Sequence, residues 1–449
     1  MKIDILIIGG GPAGITAAIT ARKNYPSKKI TLVRKEEKSV VPCGIPYIFY
    51  RLKSLDKNVM PDQVLLDNKI NIVIDEVVAI KPDNKKAVFK GGSSCGYDKL
   101  ILALGSSPQM IPIVGVDKKG VWLVRKDYEY LKKFRKAVLD SKKIVIIGGG
   151  FIGVEFAEEL SNIKGINVSI VEMLSYCLIT NFDKEFVMVA EQRIKDSGVK
   201  VYTKKSVKKI GGDKKVKYVE LSGGKRIPAD MIILSIGFGA NIDLAKKAGI
   251  KVEKGTIKVD KYFKTNKANI FAVGDCAQTK DFITNKCSQV MLASVACSEA
   301  RIAASNLYKL CYVKQDKGTI GVFSTQINGL TMGVVGLIEQ RAKDKGISYI
   351  VGEAEAVNRH PGTLSNAENI QVKLIFDKSS KFLLLGGEIM GPESIGEMLN
   401  ILSMAIQQKV SVFDFITWQI ATHPLLTSSP IAYPLITAAQ SALLKLKKI

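Results

Sequence analysis

The chain has 449 residues, 47% of them hydrophobic and 24% charged, which describes a globular protein with more than one core and excludes a disordered or fibrous chain. Its formal charge is +24, but only ten of the 66 basic residues are arginine and the lysines are spread as singles and pairs, unlike the clustered arginine and aromatic surface of a nucleic-acid binder. No apolar run reaches the roughly 20 residues that cross a bilayer, the seven cysteines form no CxxC pair, and neither a metal site nor a disulfide framework is expected.

In chain order, the first element is DILIIGGGPAGITAA (4–18), an apolar strand, a glycine loop and a helix. Asp4 and the glycines argue against a signal peptide, so a cytoplasmic protein is expected. Gly9, Gly11 and Gly14 have the GxGxxG spacing of a dinucleotide loop, with Pro12 and Ala13 opening the helix whose N-terminus receives the phosphates. Where the next strand ends, KITLVRKEEK puts Arg34 where an acid is expected, with Glu36 and Glu37 beyond it. Arg34 is placed to stack on an adenine or bind a phosphate, and the ribose contact stays open.

VVPCGIPYIFYRL (40–52) follows. Apolar residues at Ile45, Ile48, Phe49, Leu52 and Leu55 have helical spacing, and Pro46 suits a first turn, so a helix is expected with Cys43 at its N-terminus. A helix dipole there favours a thiolate. Two readings stand for Cys43, a buried structural residue or a reactive thiol.

YDKLILALGSSP (97–108) precedes a second fingerprint, KIVIIGGGFIGVEFA (143–157), with Gly148, Gly150, Ile152 and Gly153. Glu172 ends the strand after it, where a carboxylate accepts ribose hydroxyls and repels a 2′-phosphate; no arginine follows, which favours NADH over NADPH. IFAVGDC (270–276) comes later, and GVFSTQINGLTMGVVGLIE (321–339) alternates like antiparallel strands. The segments 393–408 and 431–446 have helical periodicity. Of the other cysteines, Cys95 and Cys177 are expected in loops, and these two with Cys276, Cys287, Cys297 and Cys311 are read as structural.

The paired fingerprints, the segment between them and the late GD motif resemble the FAD- and NAD-dependent pyridine nucleotide-disulfide oxidoreductases along essentially the whole chain. The resemblance implies an α/β fold with two Rossmann-like domains and a C-terminal α+β dimerisation domain. The FAD domain would comprise 1–112 and 253–318, the NAD domain 113–252, and the dimerisation domain 319–449. FAD would lie on the first loop with Ala103, Gly105, Gly274 and Asp275, and NADH on the second with Gly237. Two departures from the family pattern are Ala103-Leu104-Gly105 for the usual ATG and GFGAN (237–241) where an arginine and a proline are usual.

Members with two redox cysteines carry CxxxxC on this segment, but Ile48 holds the second position. VPCGIPY is similar to the single-cysteine branch of coenzyme A-disulfide, sulfur and persulfide reductases, NADH oxidases and NADH peroxidases. The histidine that peroxidases and water-forming oxidases place in the first loop is missing from GGGPAG, which favours a sulfur acceptor. His423, in an HP near the C-terminus, matches the acid/base that a partner subunit lends in disulfide reductases, with Tyr433 as a substitute and His360 as a rim or structural residue. Arg22 is a weak candidate for the anionic end of coenzyme A, and Lys53 or Lys57 for a flavin-side lysine. The expectation is a homodimeric NADH oxidoreductase that reduces a small disulfide or persulfide through Cys43. An oxidase passing electrons to O2 and a low-turnover redox sensor are the rivals.

Overall fold

The structure, a computed structural model, describes residues 2–288, 290–310 and 317–446; Cys311 lies outside them. The chain divides into two compact units, one of residues 1–112, 122–140 and 236–319, the other of 113–121, 141–235 and 320–449. Residues 122–140 and 236–252, assigned by sequence to the NAD domain, thus group with the first unit. The reason is local pairing: Phe238–Ala240 runs antiparallel to Ser106–Pro108, and the helix Tyr128–Leu139 sets Phe134 edge-on against Phe49.

In the first unit, strand Lys2–Ile8 lies between Ile30–Arg34 and Ser94–Leu102, parallel to both. Asn71–Ile74 and Ile270–Ala272 add further parallel strands. The central strand buries Ile5, Leu6 and Ile7 completely, as expected where helices cover both faces. The helix Pro12–Asn24 begins at a proline whose missing N–H costs nothing at that position. It buries Ala13, Ala17, Ala18 and Ala21 in one core cluster with Ala296, Ala300, Ala303 and Ala304 of the helix Ala293–Ser305. Small side chains let two helices approach closely. Arg22 ends the first of them, and its guanidinium donates to the carbonyls of Pro26, Lys28, Asn68 and Lys69. These bonds tie the end of the helix to the segments around it.

In the second unit, Lys143–Ile147 pairs in parallel with Asn167–Val171 and Met231–Leu234, and Lys200–Tyr202 extends the ladder. The C-terminal part is a five-stranded antiparallel sheet in the order Val322–Ile327, Leu330–Gly336, Leu384–Gly391, Asn369–Asp377, Tyr349–Val357. The expected hairpin is present, turning at Asn328-Gly329 with positive φ at both residues. Helices Ile395–Gln407 and Pro434–Leu446 form at the expected positions. A Cβ on Gly333 would stand 2.0 Å from Leu399 Cδ1, and one on Gly352 1.9 Å from the Ala438 carbonyl oxygen, so both helices lie directly on the sheet.

One charged cluster is buried in this unit. Lys373 Nζ lies 2.9 Å from Asp183, 2.5 Å from Glu185 and 2.7 Å from Glu339. Glu388 beside it, completely buried, accepts the Asp183 N–H, and burial raises its carboxyl well above the ordinary range. The three acids could coordinate a cation, but the Lys373 ammonium already stands among them. Among the described residues no helix is long and apolar enough to cross a membrane.

Candidate active site

Both dinucleotide loops are built alike. Gly9, at φ +121°, makes a turn that a side chain would strain, and a Cβ there would stand 2.1 Å from the Ala103 carbonyl oxygen. On Gly14 it would stand 1.9 Å from the Gly9 oxygen, whereas on Gly11 it would meet nothing within 4 Å. The second loop repeats the pattern. Contacts at 2.5 Å to the Ser235 oxygen for Gly148 and 2.0 Å to the Gly148 oxygen for Gly153 accompany open space at Gly150. Neither helix start has a side-chain cap, so its first N–H groups are left for an incoming anion. The residues therefore fit two dinucleotides, with room for a diphosphate beside Gly11 and Gly150.

Around the first loop, Ala103 N–H bonds the Ile8 carbonyl and brings Ala103–Gly105 beside the glycines. Gly274 and Asp275 follow the strand Ile270–Ala272, and a cleft there is lined by Thr256, Thr279, Leu292 and Glu299. Gly274 N–H donates to Glu299 Oε2 at 2.6 Å. Asp275 Oδ2 accepts from Ser106 Oγ at 2.6 Å and from Lys126 Nζ at 3.2 Å.

Arg34 is tied into the protein around the first loop. Its side chain is 1% exposed, clamps Asp62 at 2.5 and 2.6 Å, and also donates to the carbonyls of Glu36 and Glu37. Its stem packs below Gly10. Glu36 is half-buried, and burial raises its carboxyl above the usual value.

The expected helix after Cys43 does not form. Two 3-10 turns, Pro42–Gly44 and Pro46–Ile48, replace it. The apolar spacing instead records burial, with Ile45, Ile48, Phe49 and Leu55 all in the core. Without a helix there is no macrodipole acting on Cys43, but the turn is firmly held. Val41 and Asn58 exchange hydrogen bonds, and a Cβ on Gly44 would stand 1.9 Å from Asn58 Oδ1. Arg135 donates to the carbonyls of Ile48 and Lys53. Lys53 itself extends over the Tyr50 ring. Cys43 is the one exposed cysteine among the described residues. Cys95 lies in strand Ser94–Leu102 and not in a loop, and it is buried like Cys177 and Cys276. Burial pushes the Cys177 and Cys276 thiols up to about 12.

At the second loop, Glu172 is 9% exposed and held at both oxygens, accepting Gly149 N–H at 2.7 Å and Leu174 N–H at 2.8 Å. A carboxylate so fixed cannot swing away from a 2′-phosphate. Ile152 stands in the first turn of the helix Phe151–Ser161, while Gly237 belongs to the first unit, where its carbonyl accepts Gln109 N–H.

Glu155, on that helix, has its carboxyl pushed by burial up to about 7 from 4.5, with the Thr325 hydroxyl opposing. Between those values the folded chain binds more protons at this group than the unfolded chain does. Its contribution to stability is therefore complete below 4.5 and is lost as pH rises through about 7. Thermal unfolding across this interval should show that decline in the wild type and lack it in Glu155→Gln.

In the C-terminal part, the two His-Pro segments meet. His360 N–H donates to the Pro424 carbonyl, and His360 Nδ1–H to that of Thr427. His423 is exposed, and its Nδ1 accepts Leu425 N–H at 3.2 Å, which leaves the ring proton on Nε2. Tyr433 is half-buried, packs edge-on against Trp418, and burial raises its hydroxyl. Sequence reasoning missed Asn58, Asp62, Ser106, Lys126 and Ser235; each acts through a partner distant in the chain.

Residues 3–300 match the pyridine nucleotide-disulphide oxidoreductase family, and 322–431 match its dimerisation domain. An NADH oxidase of Methanocaldococcus jannaschii is 33% identical, the match covering 98% of this chain and 99% of the relative. An NAD(P)H coenzyme A polysulfide/persulfide reductase of Pyrococcus horikoshii is 29% identical over 98% of each chain. The solved NAD-dependent persulfide reductase of A. fulgidus superposes with a TM-score of 0.91 at 29% identity, covering all of this chain and 84% of its own. With its two dinucleotide cradles and this match along the chain, the protein belongs to the pyridine nucleotide-disulphide oxidoreductase family and is an oxidoreductase that uses FAD and NADH.

Proposed function

We propose that the enzyme takes electrons from NADH and reduces a small sulfur–sulfur acceptor, a disulfide or persulfide such as coenzyme A disulfide or polysulfide, at Cys43. One observation carries the reading: Cys43 is exposed on a rigid turn, and the position where a second cysteine would stand is filled by the fully buried Ile48. A solitary thiol needs its second sulfur from the substrate. The Cys43 thiolate attacks one sulfur of the acceptor, forms a mixed disulfide and expels the other half as a thiolate, which takes up a proton. FAD, held by Gly9, Gly11, Gly14 and Asp275, supplies when bound the two-electron relay by which NADH reduces that mixed disulfide to a thiol and the Cys43 thiolate. The net change is one disulfide, one NADH and one proton converted to two thiols and NAD+. NADH lies on Gly148, Gly150 and Gly153, and fixed Glu172 supports its choice over NADPH.

His423 and Tyr433 belong to this reading as proton donors to the departing thiolate. The Nε2–H of the exposed His423 serves that purpose, since its Nδ1 accepts Leu425 N–H. The dimerisation domain supports a homodimer. Cys95, Cys177, Cys276, Cys287 and Cys297 are all thiols, which agrees with a reducing cytoplasm.

Oxygen is the second acceptor to consider, favoured by the full-length likeness to the Methanocaldococcus jannaschii NADH oxidase. NADH consumption should be followed with coenzyme A disulfide, with polysulfide, each under anaerobic conditions, and with oxygen. Faster turnover with a sulfur acceptor is expected; turnover confined to oxygen would overturn the proposal.

A further inference from the structure

We propose that Lys126 is a positioning residue for the diphosphate–ribityl stretch of FAD, acting through Asp275. Its ammonium lies 3.2 Å from Asp275 Oδ2 and 3.0 Å from Ser106 Oγ, and Ser106 Oγ donates to the same Asp275 oxygen at 2.6 Å. The three groups close a triangle. A fourth contact orients the lysine, whose ammonium sits over the Phe238 ring, 5.0 Å from its centre. The side chains of Lys126 and Asp275 are 31% and 16% exposed, so the pair is partly withdrawn from solvent.

The location supplies the argument. Asp275 follows Gly274, and a Cβ on Gly274 would stand 3.1 Å from the Ala13 Cβ, in the first turn of the helix that receives the diphosphate. A carboxylate near that turn repels an incoming diphosphate, and the repulsion is strong where solvent screening is weak. Lys126 neutralises it and also fixes which way the carboxylate points. Ser106 extends the bond so that one oxygen of Asp275 is held and the other is left for a ribityl hydroxyl. The helix N-terminus attracts any phosphate; the Lys126–Asp275 pair adds the register. This inference depends on FAD as the cofactor and not on which acceptor is reduced.

The test is FAD binding to apoprotein, followed by quenching of flavin fluorescence at fixed ionic strength, for Lys126→Met, Lys126→Arg, Asp275→Asn and the Lys126→Met/Asp275→Asn pair. Loss of one charge-assisted bond predicts a Kd about 10- to 100-fold weaker for Lys126→Met. Lys126→Arg should stay within about threefold of wild type, because it keeps the charge and the donors. In the Asp275→Asn background the lysine has no charge to neutralise, so its removal should cost much less there than in the wild type. Circular dichroism checks the fold of each variant. Should Lys126→Met fail to fold, Lys126→Gln, which keeps a donor without the charge, takes its place with the same expected loss. Wild-type affinity in the uncharged Lys126 variant, or an equal loss in both backgrounds, would each overturn the assignment.

Discussion

Cys43→Ser is expected to lower NADH-dependent reduction of coenzyme A disulfide by about a thousandfold or more, while the protein keeps its FAD and its melting temperature. The first half follows from chemistry, since a serine hydroxyl without an activating base is a far weaker nucleophile than a thiolate and forms no mixed disulfide. The second half follows from geometry. Cys43 is exposed, and the turn around it is held by backbone and side-chain bonds of Val41, Gly44 and Asn58. Surface substitutions of this kind usually stay within about 0.5 kcal/mol. Anaerobic assays of the two proteins side by side provide the check. Undiminished disulfide reduction in the serine variant would remove the thiol from the mechanism, whereas oxygen consumption that survives in it would point to the oxidase reading.

The second large effect separates two functions of glycine in one loop. Gly153→Ala should destabilise the second unit, because its Cβ would stand 2.0 Å from a backbone oxygen and 2.8 Å from Ser235 Oγ. Relief requires the helix Phe151–Ser161 to shift from its strand, an overpacking cost of about 1–3 kcal/mol or more, and a melting temperature lower by roughly 5 °C. Gly150→Ala meets nothing in the protein, so thermal unfolding should be unchanged. Its methyl group instead fills space that the diphosphate approaches, and the KM for NADH should rise about tenfold or more. The same contrast holds at Gly14 and Gly11 for FAD retention. A Gly150→Ala enzyme with normal NADH kinetics would show that the diphosphate lies elsewhere.

These two loops were legible in the sequence because their spacing is local: Gly14 and Gly153 each answer to the first glycine of the same strand–turn–helix unit. The hairpin at Asn328-Gly329 and the two C-terminal helices were legible for the same reason. The Cys43 segment was misread because Ile45, Ile48, Phe49 and Leu55 share a spacing that a helix and a buried irregular turn both satisfy. The protein partners of Arg34 and Arg22 were not legible because a cation's partners lie wherever the chain brings carbonyls and carboxylates, in one case Asp62, 28 positions away. Lys126 and Ser106 carried no signal at all, since what they do exists only once Asp275 folds beside them.

The discontinuity of the first unit also has a consequence for the order in which this enzyme assembles. Strand Ile270–Ala272 completes the sheet against Leu100–Leu102, and the helix Ala293–Ser305 covers the alanine face of the first helix. A growing chain that has released its first glycine loop therefore still lacks the elements that close the core behind it. Because such long-range contacts must wait for the sequence that makes them, the first unit cannot mature on the ribosome until about two-thirds of the protein has been translated. Until those elements emerge, the nascent amino-terminal segment keeps apolar faces of that core uncovered.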